Sequence, residues 1–170
     1  MTKAPKRILV GLLSVSAAGF GAWQAHEGFS PVAYVPTKGD VPTIGHGSTH
    51  YEDGRAVKMG DAITRKRAAE LARNLMAKDE QRFAATLPGV KLTQGEYDAY
   101  LDFVGQYGIG AWSISSMRKD LLAARYVAAC NDMLRYRFVA GYDCSTPGNK
   151  RCGGVWVRQQ VRVNQCLEAQ

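Results

Sequence analysis

The chain has 170 residues, of which 46% are hydrophobic and 22% are charged. This length and composition are typical of one globular domain with a buried core, and they exclude a largely disordered chain. The 22 basic and 15 acidic residues give a net charge of +7, which favours an acidic partner such as nucleic acid, anionic lipid or cell-wall polymer. A solvated basic surface combined with a targeting signal explains the same charge, so charge alone does not select a function.

The first 25 residues have the pattern of an export signal or a membrane anchor. A basic flank that ends at Arg7 is followed by the uncharged stretch Ile8 to Ala25. As a helix this stretch would be roughly 27 Å long, just short of a ~30 Å hydrocarbon core. A cleaved signal peptide, a permanent anchor and a marginal anchor that inserts and later leaves all fit, and export is favoured. We therefore divide the chain into an N-terminal signal-anchor segment, residues 1–25, and a domain of residues 26–170.

Four cysteines, Cys130, Cys144, Cys152 and Cys166, lie in the last quarter of the chain. Their spacing matches no zinc-binding pattern, so we expect no metal site. In an exported protein an even number of cysteines predicts two disulfides. The Pro-Gly-Asn turn between Cys144 and Cys152 favours pairing of those two, which leaves Cys130 for Cys166. Other connectivities and four reduced, buried thiols remain alternatives.

The rest of the pattern predicts a mainly helical α+β domain. Residues 30–60 are rich in proline and glycine with β-branched residues between them, which indicates a small β-hairpin region near the N-terminus. After Thr64 apolar residues recur at helical spacing in several segments. Thr93 and Glu96 form the capping-box pattern of a helix start. We therefore expect several helices beside a small β element.

One stretch of the chain resembles a known family. Glu27-Gly28 is followed by an Ala-Tyr pair, a glycine-rich turn and the segment PTIGHGST, residues 42–49. This combination resembles the phage-type lysozymes, glycoside hydrolase family 24, and the likeness extends over about residues 26–166. It implies a lysozyme-like fold, no cofactor, and hydrolysis of the β-1,4 bond between N-acetylmuramic acid and N-acetylglucosamine in peptidoglycan.

The resemblance implies that Glu27 is the general acid, kept protonated by partial burial on an apolar flank, and that Thr43 helps to hold the attacking water. An inverting enzyme also needs a second carboxylate across the sugar. The family places an aspartate nine residues after the glutamate and six before the threonine, and these counts reach Pro36 and Thr37 here. We assign the role to Asp40, the only acid between Glu27 and Thr43, although aspartate also favours a turn after glycine.

Three functions remain open at this point. Hydrolysis uses Glu27 and Asp40, with His46 and Arg158 as candidate substrate contacts. A lytic transglycosylase uses Glu27 alone and closes an anhydro ring on the muramic acid. A non-catalytic protein that binds wall glycan needs neither carboxylate. Nucleic-acid binding is disfavoured, because few aromatic residues accompany the basic ones.

The N-terminal segment adds an expectation about regulation. A span rich in glycine and alanine that inserts, tethers the enzyme and later leaves the membrane resembles the signal-arrest-release segment of some phage lysozymes. We expect a monomeric phage endolysin for host cell lysis that is exported, held inactive on the inner membrane and then released into the periplasm. The span contains no cysteine, so loss of membrane potential is the expected trigger rather than thiol exchange.

Overall fold

A computed structural model describes residues 6–170, and these residues divide into two units. The first unit is residues 16–80, and the second combines residues 6–15 with residues 81–170. The elements in chain order, with short 3-10 turns at Val10–Leu12 and Met133–Arg135, are β1 (Ile8–Leu9), α1 (Ala17–Glu27), β2 (Ser30–Tyr34), β3 (Thr43–Gly45), α2 (Arg65–Ala85), β4 (Lys91–Leu92), α3 (Gln94–Ser113), α4 (Ser116–Leu122), α5 (Tyr126–Asp132), β5 (Phe138–Val139), β6 (Tyr142–Asp143) and α6 (Gly153–Glu168). This is the mainly helical α+β architecture that the sequence predicts.

The predicted β-hairpin region forms in the first unit. Strands β2 and β3 are antiparallel, with Ser30 opposite Gly45 and Tyr34 opposite Thr43. Between these two pairs the register shifts, because the middle of β2 bonds to the chain that leads into α2. Ala33 N–H, for example, donates to a main-chain carbonyl of that segment at 2.9 Å. Strand β2 is therefore hydrogen-bonded both to β3 and to the segment that leads into α2.

An apolar core joins this hairpin to α2. Its buried members are small or branched side chains, namely Ala33, Ile44, Val57, Ile63, Ala68 and Leu71. Gly45 lies so close to α2 that a Cβ at this position would be 2.9 Å from the Ala68 Cβ. The φ of Gly45 is also +64°, in the left-handed region that favours glycine. Glycine is therefore required where β3 contacts the helix.

An ion pair ties the loop after β3 to α2. The Glu52 carboxylate accepts hydrogen bonds from two guanidinium nitrogens of Arg67, both at 2.7 Å, and from Asn74 Nδ2 at 2.9 Å. The bonds from Arg67 and then from Asn74 hold the pKa of Glu52 at about 2, well below its usual value. Glu52 therefore supports the structure of the loop.

The second unit is helical and built around aromatic rings. Helix α3 begins with the predicted capping box, in which Thr93 Oγ1 accepts from Glu96 N–H at 3.2 Å and the Glu96 carboxylate accepts from Thr93 N–H at 2.7 Å. The helix breaks at Gly108, whose φ is 81°. Five fully buried rings pack against one another in the core: Phe83, Tyr97, Tyr100, Phe103 and Trp112.

Both predicted disulfides are present in the second unit. Cys130 and Cys166 link α5 to α6 across a Cα–Cα distance of 5.6 Å. Cys144 and Cys152 close the short loop before α6, with a Cα–Cα distance of 5.0 Å. All four cysteines are therefore paired, and the alternative of reduced, buried thiols is wrong.

The uncharged span Ile8 to Ala25 is not one continuous element. Its beginning belongs to the second unit, where β1 pairs with β4 and Val10 N–H donates to Val90 C=O at 3.0 Å. Its end forms most of α1 in the first unit. No helix within residues 6–170 is both long and apolar enough to cross a bilayer. The two units meet in the chain after residue 15 and again after residue 80. The division into a segment of residues 1–25 and a domain of residues 26–170 stays a prediction, and residues 1–5 lie outside the described residues.

Arg7, which directly precedes this span, contacts two side chains of the second unit. Its Nη2 donates to Glu96 Oε1 at 2.8 Å, and its guanidinium lies 3.8 Å from the ring centroid of Tyr126. The Glu96 side chain is fully buried, and Gln170 Nε2 also donates to it at 2.8 Å. Glu96 therefore has two functions, because the residue that caps α3 is also the counter-ion of Arg7.

A buried ion network joins α3 to α6. Asp102 accepts from Arg158 Nη2 at 2.6 Å and from Arg162 Nε, and Arg162 is only 2% exposed. Burial by itself would raise the pKa of Asp102. The hydrogen bond from Arg158 and the charges of both arginines outweigh burial, so this pKa lies below its usual value. The carboxylate is therefore the counter-ion that allows Arg162 to be buried.

We expect Asp102→Asn to lower the free energy of unfolding by about 3 kcal/mol at pH 7, because it leaves the Arg162 cation buried without a counter-ion. Asp120→Asn is the control, since its partner Arg125 is exposed, and it should cost no more than about 1 kcal/mol. Urea denaturation measures both values. A carboxylate with a lowered pKa stabilises the fold above its unfolded pKa, so the difference between wild type and Asp102→Asn should shrink as the pH falls below about 4. A difference that is independent of pH would contradict this account.

Candidate active site

Glu27 is the last residue of α1. The helix starts at Ser16, whose Oγ accepts from Gly19 N–H at 2.9 Å. It stops at Gly28, whose φ of 73° no ordinary side chain adopts readily and whose N–H donates to Gln24 C=O at 3.1 Å. The glycine that follows Glu27 therefore sets the position at which the carboxylate leaves the helix.

The Glu27 side chain is exposed, and α1 contains no fully buried residue. The expectation that an apolar flank partly buries Glu27 is therefore wrong for the protein without substrate. The aromatic side chains of α1, Phe20 and Trp23, stack on each other with ring centroids 5.9 Å apart. This leaves the carboxylate accessible to a substrate.

His46 holds the end of α1 to the loop after β3. Its ring Nδ1 bonds to the Gly28 carbonyl, and since a carbonyl only accepts, Nδ1 carries the proton. Nε2 is then the acceptor for Gln24 Nε2, at 3.2 Å. The ring is 5% exposed and lies 5.6 Å from the Phe29 ring, centroid to centroid. We call these two hydrogen bonds the His46 clamp.

The clamp changes the interpretation of His46. The sequence predicts a substrate contact at this position, but the structure buries the ring and engages both of its nitrogens within the protein. No ring nitrogen remains for a sugar hydroxyl. His46 is instead placed to support the end of the helix that carries Glu27, and this role depends on a tertiary contact that the sequence pattern does not reveal.

Gly47 lies close to the Glu27 carboxylate. A Cβ on Gly47 would be 3.3 Å from Glu27 Oε2, and the φ of Gly47 is +84°. The close approach and the backbone conformation both favour glycine. Sequence reasoning did not single out Gly47, although the second glycine of the PTIGHGST segment is the signal that marks it.

Thr43 begins β3 and is 6% exposed. Its Oγ1 donates to Val41 C=O at 3.2 Å. A hydroxyl that has used its proton in this way still has lone pairs that accept hydrogen bonds. Thr43 is therefore able to accept a hydrogen bond from a water molecule, which suits the predicted role and does not test it.

Asp40 lies in the connection between β2 and β3 and is exposed. Its Oδ1 accepts from Val41 N–H at 2.8 Å, its Oδ2 accepts from Thr37 Oγ1 at 3.4 Å, and its own N–H donates to Thr37 C=O at 3.0 Å. These are the bonds of an aspartate that stabilises a turn. A carboxylate has further lone pairs, so the turn role and the predicted base role are compatible.

Arg158 lies on α6 in the second unit, where it donates to Asp102. Its role as a substrate contact stays a prediction. Across residues 6–170, no three His, Cys, Asp or Glu side chains lie close enough together to hold a metal ion.

Comparison with known proteins identifies a family and two solved relatives. The profile of the phage lysozyme family matches residues 24–158. The endolysin of Salmonella phage P22 is 29% identical over 126 residues, which are 74% of this chain and 85% of that protein. The crystal structure of a P22 lysozyme variant has a TM-score of 0.75 at 26% identity and covers 92% of this chain and 99% of that one. An endolysin from Escherichia coli O157:H7 phage FAHEc1 has a TM-score of 0.74 at 28% identity, covering 94% and 97%.

Proposed function

This chain belongs to the phage lysozyme family and is therefore a peptidoglycan-degrading glycoside hydrolase. We propose that Glu27 is its general acid and that the bond it cleaves is the β-1,4 bond between N-acetylmuramic acid and N-acetylglucosamine. The position of the Glu27 carboxylate supports this role most directly. It is exposed at the end of α1, packed over Gly47, and steadied by the His46 clamp. A general acid needs this combination of access and fixed position.

In the proposed reaction Glu27 gives its proton to the bridging oxygen as the bond to the muramic C1 breaks. A water molecule attacks C1 from the opposite face of the sugar and loses a proton to Asp40. Thr43 accepts a hydrogen bond from that water. The sugar covers Glu27 on binding and removes the water that surrounds it in the free protein. Positioned proton transfer of this kind contributes about 10²–10⁴-fold to the rate.

A second reaction is favoured by one observation, the bonding of Asp40 within its own turn. Both carboxylate oxygens of Asp40 already accept local hydrogen bonds. If Asp40 only stabilises the turn, no base activates water. Glu27 then protonates the leaving oxygen as its bond to C1 breaks, the muramic 6-hydroxyl attacks C1, and the Glu27 carboxylate takes the proton of that hydroxyl. The product is then an anhydro sugar, lighter by one water than the product of hydrolysis.

We expect Glu27→Gln to abolish wall clearing, because an amide cannot donate the proton that the leaving oxygen needs. Turbidity of permeabilised cells measures this loss, and equal clearing by both proteins would refute the role of Glu27.

Mass spectrometry of the muropeptides from wild type then separates the two reactions. Products with a reducing muramic end support hydrolysis, and Asp40→Asn should then lower kcat by about 10²-fold or more. Anhydro products, or a fully active Asp40→Asn, would return Asp40 to a turn role.

Two glycines with similar positive φ values test the position of Glu27. Gly47 and Gly54 have φ values of +84° and +87°, but a Cβ on Gly54 would meet nothing within 4 Å. Alanine at either position should cost about 1–2 kcal/mol of stability through left-handed strain. Only Gly47→Ala also crowds the carboxylate, so it should lower kcat several-fold more than Gly54→Ala, with little change in KM. Thermal melts and steady-state rates check both variants, and equal kcat values would contradict the proposed arrangement.

The proposal extends to regulation by the N-terminal segment. In the folded protein Arg7, β1 and Val10 are all bonded within the second unit. A span that crosses a bilayer from Ile8 to Ala25 cannot make these contacts at the same time. Tethering therefore removes the cation from the fully buried Glu96 and places Glu27 only two residues from the bilayer. We expect the tethered form to be inactive. On release β1 can pair with β4, and residues 17–27 can fold as α1.

Leucine substitutions that hold the span in the bilayer test this regulation. Gly11→Leu combined with Gly21→Leu raises the hydropathy of the span at two positions where a Cβ meets nothing within 4 Å. The variant should stay in the membrane fraction and degrade no wall there. After extraction and refolding it should match wild type, which controls for damage to the fold. Full activity while membrane-bound would refute inactivation by tethering.

A further inference from the structure

A small hairpin in the second unit has an exposed apolar tip. Strands β5 and β6 pair with Val139 opposite Tyr142, and Ala140 and Gly141, both with positive φ, form the turn between them. We call residues 137–143 the tip hairpin. Its large apolar side chains are exposed: Phe138 by 56%, Val139 by 40% and Tyr142 by 47%. The apolar residues thus project from the domain instead of joining its core.

A disulfide and two hydrogen bonds brace the tip hairpin. Cys144, directly after β6, is bonded to Cys152, and its N–H donates to Arg137 C=O at 2.8 Å. Asn149 Nδ2 donates to Asp143 C=O at 2.8 Å. Because the base of the hairpin is fixed in this way, a partner would order few additional residues on binding.

The segment around the apolar tip carries a net positive charge. Residues 132–152 contain four cations and two acids, a net charge of +2: Arg135, Arg137, Lys150 and Arg151 against Asp132 and Asp143. Arg135 pairs with Asp132 and Arg137 with Asp143, so the net charge rests on Lys150 and Arg151. The Arg137 guanidinium lies 5.2 Å from the Phe138 ring centroid, and that of Arg151 lies 4.1 Å from the Tyr142 centroid. These cation–π contacts hold positive charge at the rim of the apolar surface.

We propose that the tip hairpin binds the surface of an anionic phospholipid bilayer. Aromatic and aliphatic side chains at the tip would enter the boundary between head groups and acyl chains, and Lys150 and Arg151 would meet lipid phosphates. The apolar tip and the net positive charge both fit this partner. The inference does not depend on Glu27 or on the reaction, since it concerns residues outside the candidate active site.

A glycan strand fits the same surface less well. A sugar carries hydroxyl groups around its ring, and removing them from water is costly unless protein groups replace their hydrogen bonds. Between Arg137 and Asp143 the exposed positions are Phe138, Val139, Ala140, Gly141 and Tyr142, and the Tyr142 hydroxyl is the only side-chain hydrogen-bonding group among these five. A lipid interface requires no such pattern, because the apolar side chains leave water and the charged groups remain at the surface.

Flotation of the full-length protein with vesicles tests the proposal. The vesicles contain phosphatidylcholine alone or phosphatidylcholine mixed with phosphatidylglycerol. One variant combines Phe138→Ser with Val139→Ser, and a second combines Lys150→Gln with Arg151→Gln. The matched controls remove exposed apolar residues or exposed charges elsewhere in the second unit: Ile114→Ser with Val127→Ser, and Lys91→Gln with Lys119→Gln. Every protein retains the N-terminal segment, so differences between them report on the substituted residues.

We expect wild type to bind the anionic vesicles more tightly than the neutral ones and to lose binding as salt rises. The charge variant should lose about tenfold or more in affinity for anionic vesicles, since each cation near such a surface contributes roughly 1 kcal/mol, or about fivefold. The apolar variant should lose about tenfold or more as well, because two large apolar side chains no longer leave water on binding. Controls should change by less than about twofold. Near-ultraviolet circular dichroism and turnover of soluble glycan chains check that each variant is folded.

Two outcomes would overturn the proposal. Hairpin variants that bind anionic vesicles as well as their controls would show that the tip does not contact lipid. Variants that lose binding to purified wall sacculi, with vesicle binding unchanged, would assign the surface to the wall polymer instead. Because the charge variant leaves the apolar residues intact and the apolar variant leaves the charges intact, misfolding of one does not remove the test.

Discussion

The hydrogen bond from the His46 ring to the Gly28 carbonyl is the contact on which the candidate active site depends. Helix α1 has no fully buried residue, so packing alone does not fix the position of Glu27 at its end. The His46 clamp supplies what packing lacks, because it joins the last turn of the helix to the loop that carries Gly47. The acid, the histidine that supports its helix and the glycine close to its carboxylate therefore lie together within a single unit.

Features whose determinants are local could be predicted from the sequence. The capping box needs only Thr93 and Glu96, and the Cys144–Cys152 disulfide follows from a turn between neighbouring cysteines. The helical content and the β-hairpin region were predicted for the same reason. Each feature follows from a few adjacent residues and their conformational preferences.

Features that depend on tertiary contacts could not be predicted. A histidine in a glycine-rich loop has the sequence context of an exposed residue, and its burial depends on the distant Gln24 and Gly28. Glu96 was recognised as a helix cap, but nothing in its surroundings indicates Arg7 as a partner. The role of Asp40 stays a prediction, because the spacing of the β2–β3 connection departs from the family pattern and only the chemistry of the side chain supports the assignment. The span Ile8 to Ala25 shows the same limit, since its low polarity does not reveal that the structure divides it between two units and buries only Val10 and Val15 of its residues.

The pairing of Arg7 with Glu96 also closes a long loop of the chain. The two residues are 89 positions apart, so the contact requires the chain between them to come together at an entropic cost that grows slowly with loop length. The Glu96 carboxylate has its other hydrogen bonds, from Thr93 N–H and Gln170 Nε2, only when α3 has formed and Gln170 lies beside it. The segment that contains Arg7 and β1 therefore behaves as a ligand that is covalently tethered to the rest of the second unit. Its binding is governed by an effective concentration that the connecting chain sets, so each molecule completes its own fold however few copies of the enzyme are present.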